Sequence, residues 1–374
     1  MKIVIAPDSF KDCMTAARAA EQIADGIARV IPDVSPVLCP MSDGGEGTVE
    51  NVSLALRIRP RTVRVRDPLG RPVPARYLVI GDIALIEMAE ASGLERLKMV
   101  ERNPMMTHTE GTGQLILHAL DTGIRRFILA VGGSATVDGG MGMASALGLN
   151  FHDKHGNALP PCGASLECID CVDDATRDNR VRESEFRVAT DVISPLLGPG
   201  GAARMFGPQK GATSEMVERL EAGLANLRHV LWTQGMLTPL EMDGDGAAGG
   251  MGMGARAFLG GTIVSGAGTV AELVRLEKHM DDADWVVTGE GRTDGQSAEG
   301  KLCGFIEAAA RRRGIPVVLL SGQIRTDAAS FITRFAVAKS VTPQGMQVSD
   351  AIAHGPANLR TAASEVFEQL ANPR

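Results

Sequence analysis

Hydrophobic positions at the two ends of the chain follow one rhythm, and those in the middle follow another. Lys2 to Ala6 is a short apolar run leading into a polar loop, Pro7-Asp8-Ser9-Phe10-Lys11, and reads as a buried first strand. Behind it Ala16, Ala19, Ile23, Ile27 and Val30 recur at helical spacing, with Thr15 placed as the N-cap and Pro32 as the stop. Val37 to Cys39 reads as a second strand, followed by a helix from Gly47 to Leu56. Strand, polar loop and helix, repeated, is how a doubly wound parallel sheet begins. The rhythm returns near residue 284. Trp285 to Thr288, Pro316 to Ser321 and Phe335 to Ala338 read as strands, Leu302 to Arg312 as a helix, and Ala351 to Leu370 contains the last helix.

Between these ends the pattern is mixed. Thr62 to Val65 and Ala75 to Ile80 flank the turn Asp67-Pro68-Leu69-Gly70 and read as a hairpin, with Ala84 to Met88 as a third strand. A helix over Gly113 to Asp121, strands over Arg126 to Val131 and Phe186 to Ala189, and an amphipathic helix over Glu215 to Trp232 follow. Two α/β domains are therefore expected. A discontinuous one spans 1–60 and 266–374, and an inserted one with a mixed sheet spans 61–265. Ligand sites commonly lie in clefts between such domains, and the site is expected there.

Composition narrows the function. A length of 374 residues suits two domains. A net charge of −7 and only 3% aromatic residues argue against a nucleic-acid or anionic-membrane partner. No apolar run reaches the roughly 18 residues of a membrane span, and the N-terminus does not read as a signal peptide. The six scattered cysteines are expected as reduced thiols, consistent with a cytoplasmic enzyme. Glycine is the outlier, with 44 residues clustered inside short motifs.

Those motifs mix glycine with acids, hydroxyls and lysine. They are Asp8-Ser9-Phe10-Lys11, Ser42-Asp43-Gly44-Gly45-Glu46-Gly47-Thr48 and Gly132-Gly133-Ser134-Ala135-Thr136-Val137-Asp138-Gly139-Gly140. Further along come Ala189-Thr190-Asp191, Phe206 to Gly211 around Lys210, and Thr288-Gly289-Glu290-Gly291-Arg292-Thr293-Asp294. The motifs at Asp8, Asp43, Gly132 and Glu290 are expected to follow a strand directly, at the carboxyl edge where open α/β sheets bind ligands. Phosphoryl transfer needs these parts. Backbone N–H groups in glycine turns hold phosphate oxygens, lysines neutralise charge, carboxylates hold Mg²⁺, and one carboxylate deprotonates the acceptor hydroxyl.

Other chemistries are poorly served. Gly295 to Leu302 nearly spells a P-loop, but Leu302 stands where a metal-binding hydroxyl should be. Gly266 to Ala271 is a weak dinucleotide fingerprint behind a poor strand, Thr262 to Val264, and no clean one follows the first strand. His152, His155, Cys162, Cys168 and Cys171 offer zinc ligands in no established spacing. There is no G-x-S-x-G nucleophile elbow.

Met1 to Lys11, Met41 to Glu50, Gly132 to Gly140, Phe206 to Gly211, Gly246 to Gly254 and Thr288 to Ser297 together resemble the bacterial glycerate kinases of the glycerate 2-kinase type. The resemblance implies a discontinuous flavodoxin-like domain and an inserted domain of restriction-endonuclease-like topology. It also implies ATP, Mg²⁺ and D-glycerate, with 2-phosphoglycerate as product. Kinases of related hydroxy acids and a non-catalytic sugar-acid binding protein are the alternatives, and a homodimer is one option for assembly. Asp191 is the expected base, with a loop-capping carboxylate as the other reading. Lys11 and Lys210 are the expected phosphate neutralisers, and Asp43, Glu290 and Asp294 the Mg²⁺ ligands. Gly44, Gly45, Gly47, Thr48, Gly133, Ser134 and Thr136 are expected to bind phosphate. Asp8, Ser9 and Arg292 are expected on the substrate side, with an ion pair to Asp294 or Glu290 as the alternative for Arg292.

Overall fold

The computed structural model describes residues 1–295 and 302–371. In chain order, its strands begin with β1 (Lys2–Ile5), β2 (Ser35–Leu38), β3 (Arg61–Arg66), β4 (Pro72–Ile80), β5 (Ile83–Glu87) and β6 (Arg126–Ala130). They continue with β7 (Asn150–His152), β8 (Cys171–Asp173), β9 (Glu185–Ala189), β10 (Thr262–Val264), β11 (Trp285–Thr293), β12 (Val317–Ile324) and β13 (Val337–Ser340). The chain divides into two compact units. One comprises Met1–Asp43, Glu50–Arg57 and Ala267–Arg374, and the other Gly44–Val49 and Ile58–Gly266. The glycine loop Gly44–Val49, expected within the first domain, groups with the second unit.

The first unit is built on an all-parallel five-stranded sheet in the order β13-β12-β11-β1-β2. Ile3, Val4 and Ile5 of the interior strand β1 are fully buried, as an unbroken apolar run in a sheet covered on both faces must be. Thr15 caps the helix Ala16–Ala28 by accepting from the Arg18 N–H, and Ile23 and Ile27 point into the core. This helix packs on the helix Gly355–Ala371, where a Cβ at Gly26 would lie 2.3 Å from the Arg360 carbonyl oxygen. The last helix, expected within Ala351 to Leu370, is Gly355–Ala371, with a short helix Val348–Ala353 before it.

The second unit holds a six-stranded mixed sheet in the order β10-β9-β6-β5-β4-β3. Strands β5, β6, β9 and β10 run parallel, while β4 and β3 add an antiparallel hairpin. Phe127 and Phe186 stack across β6 and β9 with ring centroids 4.6 Å apart. A separate antiparallel pair, β7 and β8, sets His152 opposite Cys171. No helix among the described residues is long and apolar enough to cross a membrane.

Candidate active site

In the first unit, Asp43 and Asp8 follow the neighbouring strands β2 and β1, and Glu290 lies in the carboxyl-terminal half of the adjoining β11. Asp8 follows β1. Its N–H donates to the Gly289 carbonyl at 2.8 Å, and its own carboxylate accepts the Ser9 N–H at 2.7 Å. Its pKa is pushed up to about 8, first by removal from water and next by the charge of Asp43, with Glu290 adding a further push. The Ser9 N–H and the Lys11 ammonium pull the other way without prevailing. The buried Cys303 thiol is raised by burial and then by Glu290.

Glu290 sits differently from its expected place. Strand β11 does not end at Thr288 but runs to Thr293, pairing Glu290 with Ser321 and Arg292 with Gln323 of β12. Its glycines serve close backbone approach rather than a turn. A Cβ at Gly289 would lie 2.2 Å from the Leu320 carbonyl oxygen, and one at Gly322 2.3 Å from that of Gly291. The Thr293 hydroxyl lies 2.8 Å from Glu290 Oε1 and 2.9 Å from Ser321 Oγ. Arg292 is paired with Asp294 at 2.9 Å, the alternative that the sequence left open. Lys11 is exposed, in a turn closed by hydrogen bonds between Phe10 and Met14. Most of the near-P-loop stretch, residues 296–301, lies outside the described residues.

No group of three His, Cys, Asp or Glu side chains among the described residues is spaced to hold a metal by itself, the Cys162–Cys171 region included. Mg²⁺ does not require one, since it takes one or two carboxylates and completes its shell with water and phosphate oxygens. The crowded acids fit such an ion. They are hard oxygen donors, and a cation among them would relieve the repulsion that raises Asp8.

In the second unit, two glycine loops touch. The Gly132 N–H donates to the Gly44 carbonyl at 3.1 Å, and a Cβ on Gly132 would lie 2.4 Å from Gly45 Cα. Gly44 adopts φ +83°, and Gly47 φ +85°, which favour glycine. The amides of this loop are partly committed. Gly47 and Val49 donate their N–H groups to the two carboxylate oxygens of Glu87, each at 2.9 Å, and the Thr48 hydroxyl donates to the Gly45 carbonyl. Glu87 ends β5 and is buried, and burial pushes its pKa up to about 7 against the pull of those two N–H groups. Sequence reasoning passed over it. The available signal was an acid closing the apolar run Ile83 to Ile86.

The second loop is organised from inside. Asp138, fully buried, accepts from the Thr109 N–H and hydroxyl, both at 2.8 Å, and from the N–H groups of Gly142 and Gly140 at 3.1 and 3.2 Å. Lys210 is 2% exposed, and its Nζ donates to Ser134 Oγ at 2.6 Å and to the Thr136 carbonyl at 2.7 Å. Burial draws its pKa down to about 7, although the Asp138 charge favours the ammonium. Gly133 is the exposed tip of the loop, while Ser134 and Thr136 are buried. Asp191, just beyond β9, accepts from the Ser265 hydroxyl and the Gly266 N–H, both at 2.9 Å. It therefore caps the helix Gly266–Leu273, whose first turn is the stretch that resembled a dinucleotide fingerprint.

A model of the glycerate kinase family matches residues 3–371. The chain is 41% identical over 367 residues to the glycerate kinase of Halalkalibacterium halodurans, covering 97% of each chain. It is 42% identical over 329 residues to the glycerate 2-kinase of Escherichia coli, covering 87% of this chain and 86% of that one. The crystal structure of the protein described as glycerate kinase 2 from Salmonella typhimurium LT2 superposes with a TM-score of 0.84 at 40% identity, over 99% of this chain and 98% of that one.

Proposed function

The chain belongs to the glycerate kinase family, and we propose that it transfers the γ-phosphoryl group of ATP to D-glycerate, giving 2-phosphoglycerate and ADP. The observation that carries this reading is the crowding of Asp8, Asp43 and Glu290 at the carboxyl edge of a parallel sheet. Like charges are held together at a cost when a cation is to be bound there. Asp43 and Glu290, with Asp8 beside them, would hold Mg²⁺, which when bound neutralises charge on the β- and γ-phosphate oxygens. Asp294 is a weaker candidate, because Arg292 is paired with one of its carboxylate oxygens.

Asp191 is the group proposed to take the acceptor hydroxyl's proton as the oxygen bonds to phosphorus and ADP departs. The Ser265 and Gly266 donors hold one of its oxygens and fix the direction of the carboxylate. Lys11, exposed, is suited to phosphate contact, whereas Lys210 shapes the Gly132–Gly140 loop from within. Ser9 and Gly133 remain candidates for contact with substrate and phosphate. The parallel order of the first sheet, 2-1-3-4-5 when its own strands are numbered in sequence, supports grouping that unit with flavodoxin-like folds. The mixed sheet, with β5, β6, β9 and β10 parallel and an antiparallel hairpin at one edge, supports reading the second unit as the restriction-endonuclease-like domain.

The test is ADP release with D-glycerate, ATP and Mg²⁺, the product being identified by phosphorus NMR, for wild type and Asp191→Asn. Wild type is expected to give 2-phosphoglycerate, and Asp191→Asn to lose about 10²-fold or more in kcat. Turnover unimpaired in the variant would remove Asp191 as base, and a folded wild type inert toward glycerate would remove the substrate.

A further inference from the structure

We infer that Glu87 is a positioning residue for phosphoryl transfer, whose carboxylate holds the Gly44–Val49 loop in the shape that receives phosphate oxygens. The inference rests on the kinase reading above. Strands β5, β6 and β9 lie side by side and parallel, and their carboxyl ends lead to Glu87, to the Gly132 loop and to Asp191. Glu87 spends one oxygen on Gly47 and the other on Val49, so a single side chain fixes two amides on either side of Thr48. The loop is pinned at its start too, by the Gly132 N–H on the Gly44 carbonyl. Two fixed points leave its backbone little freedom, which is what a preorganised anion-binding turn requires.

The two N–H groups fall on two separate oxygens, so a carboxylate answers both, whereas a neutral amide offers one acceptor oxygen and an NH₂ that would face a donor. The charged side chains bearing on Glu87 are Glu90, which opposes its ionisation, and Arg76, which favours it. These two are bonded to each other at 2.6 Å, so their influences offset. Burial outweighs the two N–H donors, so the ionised carboxylate is the less favoured form in the fold, held where it sets the geometry of the loop.

The experiment compares wild type, Glu87→Gln and Glu87→Asp in ADP release with ATP, Mg²⁺ and D-glycerate from about pH 5.5 to 9, with thermal unfolding alongside. Wild-type kcat/KM for ATP is expected to rise with pH through about 7, as Glu87 ionises and takes hold of the loop. Glu87→Gln, neutral throughout, should lose that acid limb and fall about 10²-fold at its plateau. Glu87→Asp should be slower than wild type yet keep the limb. Glu87→Gln turns an NH₂ toward one of two donating N–H groups, so its midpoint is expected to fall, and the kinetics are compared at temperatures where both variants stay folded. Unchanged kinetics in Glu87→Gln, or a loss of activity that merely follows a lowered midpoint, would overturn the inference. If wild type does not turn over glycerate, the kinase reading fails by itself, and Glu87 is judged on nucleotide alone. MgATP should raise the midpoint of wild type and not that of Glu87→Gln, and equal shifts, or none in either, would overturn it.

Discussion

In the second unit Glu87, Asp138 and Asp191 each lie against backbone N–H groups, whereas in the first unit the charges of Asp43 and Glu290 both press on Asp8. A raised pKa alone does not separate the two sets, since Glu87 moves to about 7 and Asp8 to about 8. The causes do. Burial leads in both, but for Glu87 the next influences are two N–H donors that lower it, and for Asp8 the next is a like charge that raises it further. Carboxylates answered by amides fix loops in place. A carboxylate pressed by neighbouring carboxylates would be relieved by a bound cation. The same kind of side chain thus meets backbone donors in one unit and neighbouring like charges in the other.

The largest effect expected of that difference is at Asp138. Asp138→Asn keeps one acceptor oxygen but turns an NH₂ toward amides that also donate, at a site with no access to water. We expect a loss of about 3 kcal/mol in denaturant unfolding. A loss below about 1 kcal/mol would mean that the N–H bonds around Asp138 are not what holds its loop.

Next is Lys210, the cation inside the amide-organised unit. Its folded pKa lies near 7 and its ordinary value at 10.5, so between these the unfolded chain binds more protons than the folded one. Stability should rise with pH from about 7 toward 9, by at most about 1.4 kcal/mol per pH unit for one proton. Lys210→Met should lack the rise, and the difference between the two unfolding midpoints plotted against pH reads it directly. Equal slopes in both proteins would show that Lys210 is not titrating there.

How much of this was legible in advance depended on how local the cause was. Thr15 as a cap, the hairpin around Asp67 to Gly70, and the apolar runs of β1, β6 and β9 follow from residues within a few positions of one another. Residue types in the glycine motifs singled out Asp8, Asp43, Lys210 and Glu290 as candidates, but not what each meets in the fold. What stayed hidden was set by the partner strand or loop. Gly289 and Gly291 read as a turn, and only the approach of β12 makes them strand residues. Glu87 meets a loop forty positions earlier in the chain. Lys210 has the composition of a phosphate ligand, and only its burial against Ser134 and Thr136 shows that it is committed to the loop.

The smallest expected effect is also the one whose sign is most informative. Asp43 is exposed, so its repulsion with Asp8 is screened, and removing its charge should stabilise the metal-free protein by no more than about 1 kcal/mol. The prediction for Asp43→Asn is therefore a midpoint unchanged or slightly raised, together with loss of most of the added stability that wild type gains from MgATP. Asp138→Asn makes the same chemical change in the other unit, with the opposite expected effect on stability. A clear destabilisation by Asp43→Asn in the absence of metal would mean that the contacts Asp43 makes within the fold outweigh its repulsion with Asp8. The crowding at Asp8 would then no longer mark a cation site.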